Sequence, residues 1–248
     1  MSMASKTAIL GILRADGLRL ARDRFLVGTA LYIVVLSVGM RWLLPWVTAE
    51  VNARLAFDLE PYHPLFMSHM IVVLAGLTGG FVGGFLLLEG REDRTVKAQL
   101  VTPVPLSVHV TLVSVVIALS SAILTIVEGA IVGIALPPWP ALVAIAIAGA
   151  PAAPMLALFI ASFADDKVEA FAYTKFCSVA MLVPGASFFV PEPWQWIAGI
   201  YPQWWAAKAF WIAEAGGSNW PALVAAGLAV SALWVYPLAR RFSRVARK

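Results

Sequence analysis

The sequence predicts an all-α membrane protein with six transmembrane helices, and three observations carry that prediction. Hydrophobic residues make up 61% of the 248 and charged residues only 13%, about half the roughly 25% charge of a soluble domain. The apolar residues gather in runs long enough for a helix to cross the hydrocarbon, which takes about 20 residues. Lys and Arg gather in alternate connections between those runs, as in a chain threaded back and forth through a bilayer.

The first element is an amphipathic helix over Ser5–Arg24, where Ile9, Leu10, Ile12, Leu13, Leu18 and Leu20 alternate with Arg14, Arg19, Arg22 and Arg24. Such a segment lies in the membrane interface, with a plain soluble lead-in as the alternative. No small-residue cleavage site lies near the apolar run that starts at Phe25, so no cleaved signal peptide is expected. The six expected spans are Phe25–Trp46, Leu65–Leu88, Leu106–Leu136, Ala141–Phe163, Val168–Val190 and Ala222–Leu238. The third is long enough to tilt or to project beyond the bilayer.

Arg91, Arg94, Lys97, Lys167, the N-terminal basic residues and the tail Arg240–Lys248 fall on one side under this threading. Arg54, Lys208 and Arg41 are left for the other, so both termini are expected in the cytoplasm. In the second span Gly76, Gly80 and Gly84 recur four apart, with Gly79 and Gly83 as a second row. Glycines at that spacing let another helix approach backbone to backbone, in a moving interface or in static packing. Pro151 and Pro154 interrupt the fourth span, and Pro184 and Gly185 the fifth. Breaks at membrane depth point to a cavity or to protein cover.

Between the second and third spans, Glu89–Pro105 is the longest charged run flanked by two spans. Gly90 can end one helix, Glu92 and Asp93 suit the first turn of another, and Pro103 and Pro105 stop it. Val96 and Leu100, four apart, would form a small apolar knob on a surface helix and suit docking into a partner's cleft; an ordinary solvated loop is the alternative. Before the last span, 191–221 holds Trp194, Trp196, Trp204, Trp205, Trp211 and Trp220, six of the ten tryptophans. That concentration belongs at a membrane interface. Pro193 and Pro202 divide it into two helices too short to span, a hairpin that dips into the outer leaflet and returns.

The run REDRTVKAQLVTP resembles the loop between the second and third spans of type-2 ABC exporter permeases, with Arg91, Glu92, Thr95, Leu100, Thr102 and Pro103 at family positions. Arg94 stands where the family usually has Gly, and Gln99 replaces a Leu. The stretch PEPWQWIAGIYPQWWAAKAFW is similar to the re-entrant helices before that family's last span. The resemblance implies a single transmembrane domain over 1–248 whose 89–105 segment is a cytoplasmic coupling helix, with Arg91, Glu92, Thr95, Val96, Leu100 and Pro103 facing an ABC ATPase subunit. That subunit would bind ATP and Mg, the N-terminal helix would brace it, and a second permease subunit, identical or homologous, would complete the transporter. A hydrophobic substrate would leave between the two permeases near the second and fifth spans, as in compact permeases for drugs, antibiotics or lipid-like molecules.

Glu128 is the one acid well inside an apolar span. A charge there is unfavourable by roughly 2.5 to 3.5 kcal/mol or more, so it should face protein or water, or be protonated. A contact in the transport pathway and a structural hydrogen bond to another span both fit. His69 is its candidate partner, or a satisfied packing group, and Lys175 should snorkel toward the cytoplasm. There is no phosphate-binding loop, no zinc spacing among His63, His69 and His109, and no nucleophile elbow. The basic balance is explained by topology and not by nucleic acid. The leading expectation is a hydrophobic-drug export permease, with no cofactor of its own, in the inner membrane. Export of a lipid-linked glycan, a membrane-embedded lipid-modifying enzyme using Glu128, and a structural assembly protein are the alternatives.

Overall fold

A computed structural model describes residues 24–92 and 106–246. Nearly all of the expected interfacial segment Ser5–Arg24 lies outside these residues, and so do Thr95, Val96, Leu100, Thr102 and Pro103 of the coupling segment.

In the described residues every regular element is helical. Helix α1 covers Arg24–Leu55 and runs nine residues past the expected end of the first span. The second span is composite: a 3-10 turn at Glu60–Tyr62, α2 at His63–Met67, a π-helical turn at Ser68–Val73 and α3 at Leu74–Glu92. Helix α4 is Leu106–Val132, ending where Gly133 and Ala135 take positive φ. Helices α5 (Trp139–Gly149) and α6 (Ala152–Phe163) follow, joined by a short turn at Pro151. Then come α7 (Lys167–Ala180), α8 (Val183–Ser187), a 3-10 segment at Trp194–Ile200, α9 (Pro202–Glu214) and α10 (Trp220–Val245).

Among the described residues, five helical stretches are long and apolar enough to cross a membrane: Leu31–Leu55, Glu60–Arg91, Leu106–Val132, Trp139–Phe163 and Trp220–Val245. This is a multi-pass membrane protein. The run Val168–Val190 is not a continuous span. Pro184 has no N–H to offer the Ala180 carbonyl and its ring crowds that carbonyl, so α7 stops at Ala180. Its 14 residues rise about 21 Å, short of a hydrocarbon core of about 30 Å.

Named outer and inner after the expected threading, the larger clusters of the described residues gather around Ile71, Leu142, Ile145, Phe210 and Trp211 at one end, and around Leu87, Val110, Ala157, Phe242 and Leu88, Leu156, Ile160 toward the other. The most extensive helix contact is between α3 and α6. There the Gly76, Gly80, Gly84 row meets Ala152, Leu156 and Ile160, a row with the same spacing of four. A Cβ on Gly80 would lie 2.6 Å from the Leu156 Cβ and 2.9 Å from the Ala153 carbonyl oxygen. Gly79 and Gly83 form a second seam against Ala153 and Ala157 of α6 and Ile117 of α4. Two glycine rows therefore seat α3 in the angle between two neighbours, at a distance no larger residue permits.

Candidate functional site

Two junctions carry the polar chemistry of the described residues. The outer one surrounds the π-helical turn. Widening a helix frees backbone groups, and in lipid each must find a protein partner. The amide Nε2 of the fully buried Gln203 donates to the Val72 carbonyl at 3.1 Å. Trp211 Nε1 donates to Ser68 Oγ at 2.8 Å, while that hydroxyl donates to the Leu65 carbonyl at 3.0 Å. His69 reaches across to the turn that breaks the α7–α8 run, its Nε2 donating to the Met181 carbonyl at 3.2 Å. Its ring lies against Gly185, where a Cβ would come within 2.7 Å of the imidazole. Gly185 is therefore the residue that lets the second span close on the broken helix.

The aromatic hairpin supplies two of these donors, Gln203 and Trp211. Trp204 is fully buried and donates to Ser187 Oγ at 2.8 Å; Trp205 donates to the Gly199 carbonyl at 2.7 Å. Trp196, Trp204 and Trp205 meet edge to face. Lys208, nearly buried, bridges Glu192 at 2.9 Å and Gln195 at 2.6 Å. The tryptophans that composition assigned to an interface thus divide: Trp194 and Trp196 are exposed, whereas Trp204 and Trp211 form the core under the hairpin. Amphipathic rings serve either place, because their N–H can be satisfied by protein as well as by headgroups.

Glu128 is fully buried in α4, and neither carboxyl oxygen has a hydrogen-bond partner among the described residues. His69 is hydrogen-bonded to Met181 and not to Glu128, so the two candidate pathway residues are not joined as a pair. One turn further along α4, Arg41 from α1 donates to the Ile131 carbonyl at 2.7 Å, tying the first and third spans.

The inner junction lies at the Glu92 end of α3. Arg91 turns inward: its guanidinium donates to the Ala161 carbonyl at 2.9 Å and the Ala164 carbonyl at 2.6 Å, with Asp165 at 3.3 Å. It caps the carbonyl end of α6, where positive charge is favoured. Lys167 pairs with Glu89 at 2.6 Å, and Asp166 caps α7 by accepting from the Val168 and Glu169 amides. Arg91, which the resemblance places toward a partner, ties the end of α3 to the end of α6 and to Asp165 in the connection before α7. Sequence reasoning missed Gln203, Ser68 and the Arg91 clamp; an amide next to Pro202 inside an aromatic run was the one available signal.

The family model described as "Fluoroquinolones export permease protein Rv2686c-like" matches residues 16–239. Two proteins of Mycobacterium tuberculosis are similar along nearly the whole chain: Fluoroquinolones export permease protein Rv2686c of strain ATCC 25618 / H37Rv and Fluoroquinolones export permease protein MT2760 of strain CDC 1551 / Oshkosh. Each is 30% identical over 245 residues, covering 97% of this chain and 96% of the relative. No solved structure matches. A match that begins within the amphipathic segment and ends in the last helix takes in both junctions, and the chain belongs to the family of Rv2686c-like fluoroquinolone export permease proteins.

Proposed function

We propose that this chain is the permease subunit of an ATP-driven exporter that moves a hydrophobic aromatic drug, such as a fluoroquinolone, out across the cytoplasmic membrane. The near full-length match to two export permeases is the observation that carries this reading. Six passes follow if α7, α8 and the aromatic hairpin together make the fifth crossing, with both termini in the cytoplasm as the Lys and Arg distribution favours. ATP and Mg then belong to a separate ATPase subunit, and two permease subunits enclose the path. Nothing in the family match favours a lipid-modifying enzyme.

The two junctions suit such a cycle. An ATPase pushing on the Glu89–Pro105 segment acts directly on α3, and the Arg91 and Glu89 contacts pass that push to α6 and α7. The inner half of the second span then moves as one body with α6. The outer half, interrupted at Ser68–Val73 and facing the break at Met181–Leu182, is where the path opens. Glu128 and His69 are its candidate pathway residues.

The test is ATP-dependent fluoroquinolone uptake into inverted membrane vesicles holding this chain together with an ABC ATPase subunit that co-purifies with it. Leu100→Asp should abolish uptake and substrate-stimulated ATP hydrolysis, since a charge placed in a partner's apolar cleft has no compensation. Lys97→Gln should retain most of both. Glu128→Gln should change uptake with assembly intact. Full uptake by Leu100→Asp, or uptake without any ATPase, contradicts the reading.

A further inference from the structure

A groove of about 410 Å³ runs between α4 and α10, apart from both junctions. Its floor is the turn between α5 and α6 at Pro151 and Pro154, and small residues keep its walls apart: Ser114 and Ala118 on α4, Ser231 and Ala232 on α10. Val110, Val115, Leu228 and Val235 make the lining largely apolar.

The groove's long axis follows one row of α10. Leu228, Ala232 and Tyr236 line it at a spacing of four, and the same row continues to Arg240 and Arg244, both exposed. The Arg240 guanidinium lies 4.4 Å from the centre of the Tyr236 ring, which places a cation at the groove's mouth. From Leu228 to Arg240 the helix rises about 18 Å, close to one leaflet of a hydrocarbon core about 30 Å thick. The mouth carries the exposed Arg240 and Arg244. No Asp or Glu occurs from Trp220 to Lys248. At the same end, Glu89 and Asp165 are already paired with Lys167 and Arg91.

An apolar channel one leaflet long, ending at an aromatic ring under an arginine, has the shape and polarity of a phospholipid. We propose that the groove is a binding site for an anionic phospholipid of the adjacent leaflet, with one acyl chain between α4 and α10 and the headgroup phosphate at Arg240 and Arg244. The site is independent of the transported substrate and of ATP.

The test uses the full-length permease purified in detergent and followed by native mass spectrometry and thermal unfolding. Added phosphatidylglycerol should give a retained one-to-one adduct and raise Tm by several degrees, with phosphatidylcholine at least about fivefold weaker and inorganic phosphate without effect. Arg240→Gln, a surface change that leaves the packing intact, should remove the preference for phosphatidylglycerol over phosphatidylcholine. Ala232→Leu, which narrows the groove, should weaken retention of both lipids. Equal retention of the two lipids by the parent protein, a preference that survives Arg240→Gln, or an equal Tm rise with inorganic phosphate alone would each overturn the proposal, the last by making this a free-anion site.

Discussion

The two halves of the second span, Glu60–Val73 and Leu74–Glu92, belong to one apolar stretch, yet different forces hold them. The inner half is a regular α-helix whose glycines let α6 approach until no Cβ would fit. The outer half changes from 3-10 to α to π, and its Val72 carbonyl and Ser68 hydroxyl accept from Gln203 and Trp211 of the aromatic hairpin. Hydrophobicity cannot select either arrangement, because lipid tails are as apolar as the side chains. Close packing gives one rigid solution. A bonded irregular turn can exchange its partners, which makes it the half suited to move.

If that contrast is right, the inner half should be intolerant of volume. Gly80→Leu drives a side chain into Leu156 and the Ala153 backbone, and should destabilise the fold by about 3 kcal/mol, the upper end of overpacking costs. Gly39→Leu, where nothing lies within 4 Å of a new Cβ, should be neutral in the same unfolding titration. Equal effects would erase the distinction between a packed seam and a lipid-facing helix. A smaller loss is expected from Arg91→Gln, which gives up charged hydrogen bonds to the Ala161 and Ala164 carbonyls worth about 1.5 kcal/mol or more. Faster hydrogen exchange confined to the end of α6 would locate that loss at the clamp. The outer half should be the more forgiving. Gln203→Leu removes one hydrogen bond between helices, typically worth about 0.6 kcal/mol in a membrane, so it should barely change unfolding while altering the rate of export. A loss as large as that of Gly80→Leu would make the π-helical turn as rigid as the glycine seam.

The same contrast explains what could be read from the chain alone. The glycine rows were visible because spacing of four has one structural meaning on a helix, although their complement at Ala152, Leu156 and Ile160 was hidden among ordinary apolar residues. The π-helical turn was not visible: SHMIVV has no breaker, and its stabilising amide lies 131 residues away at Gln203. Pro184 and Gly185 announced a break in the fifth run, but not that α7 would end four residues before the proline. Glu128 was recognisable as a buried acid from its setting, whereas the partner of His69 depended on a tertiary approach that only Gly185 allows. Arg91 was placed toward a partner by the resemblance, as part of the 89–105 segment, and the carbonyl end of α6 that it bonds is 70 residues further on.

In the proposed cycle one half of the second span is fixed against its neighbour while the other half moves. Paired spin labels in a Cys177→Ser background test it most directly, one pair at Val82 and Phe163 across the inner seam and the other at Phe66 and Phe189 across the outer junction. In the permease–ATPase complex in nanodiscs, the inner distance should be the same with and without bound ATP, and the outer distance should change by several ångströms. An outer pair that stays put, or an inner pair that moves as far, would contradict the account.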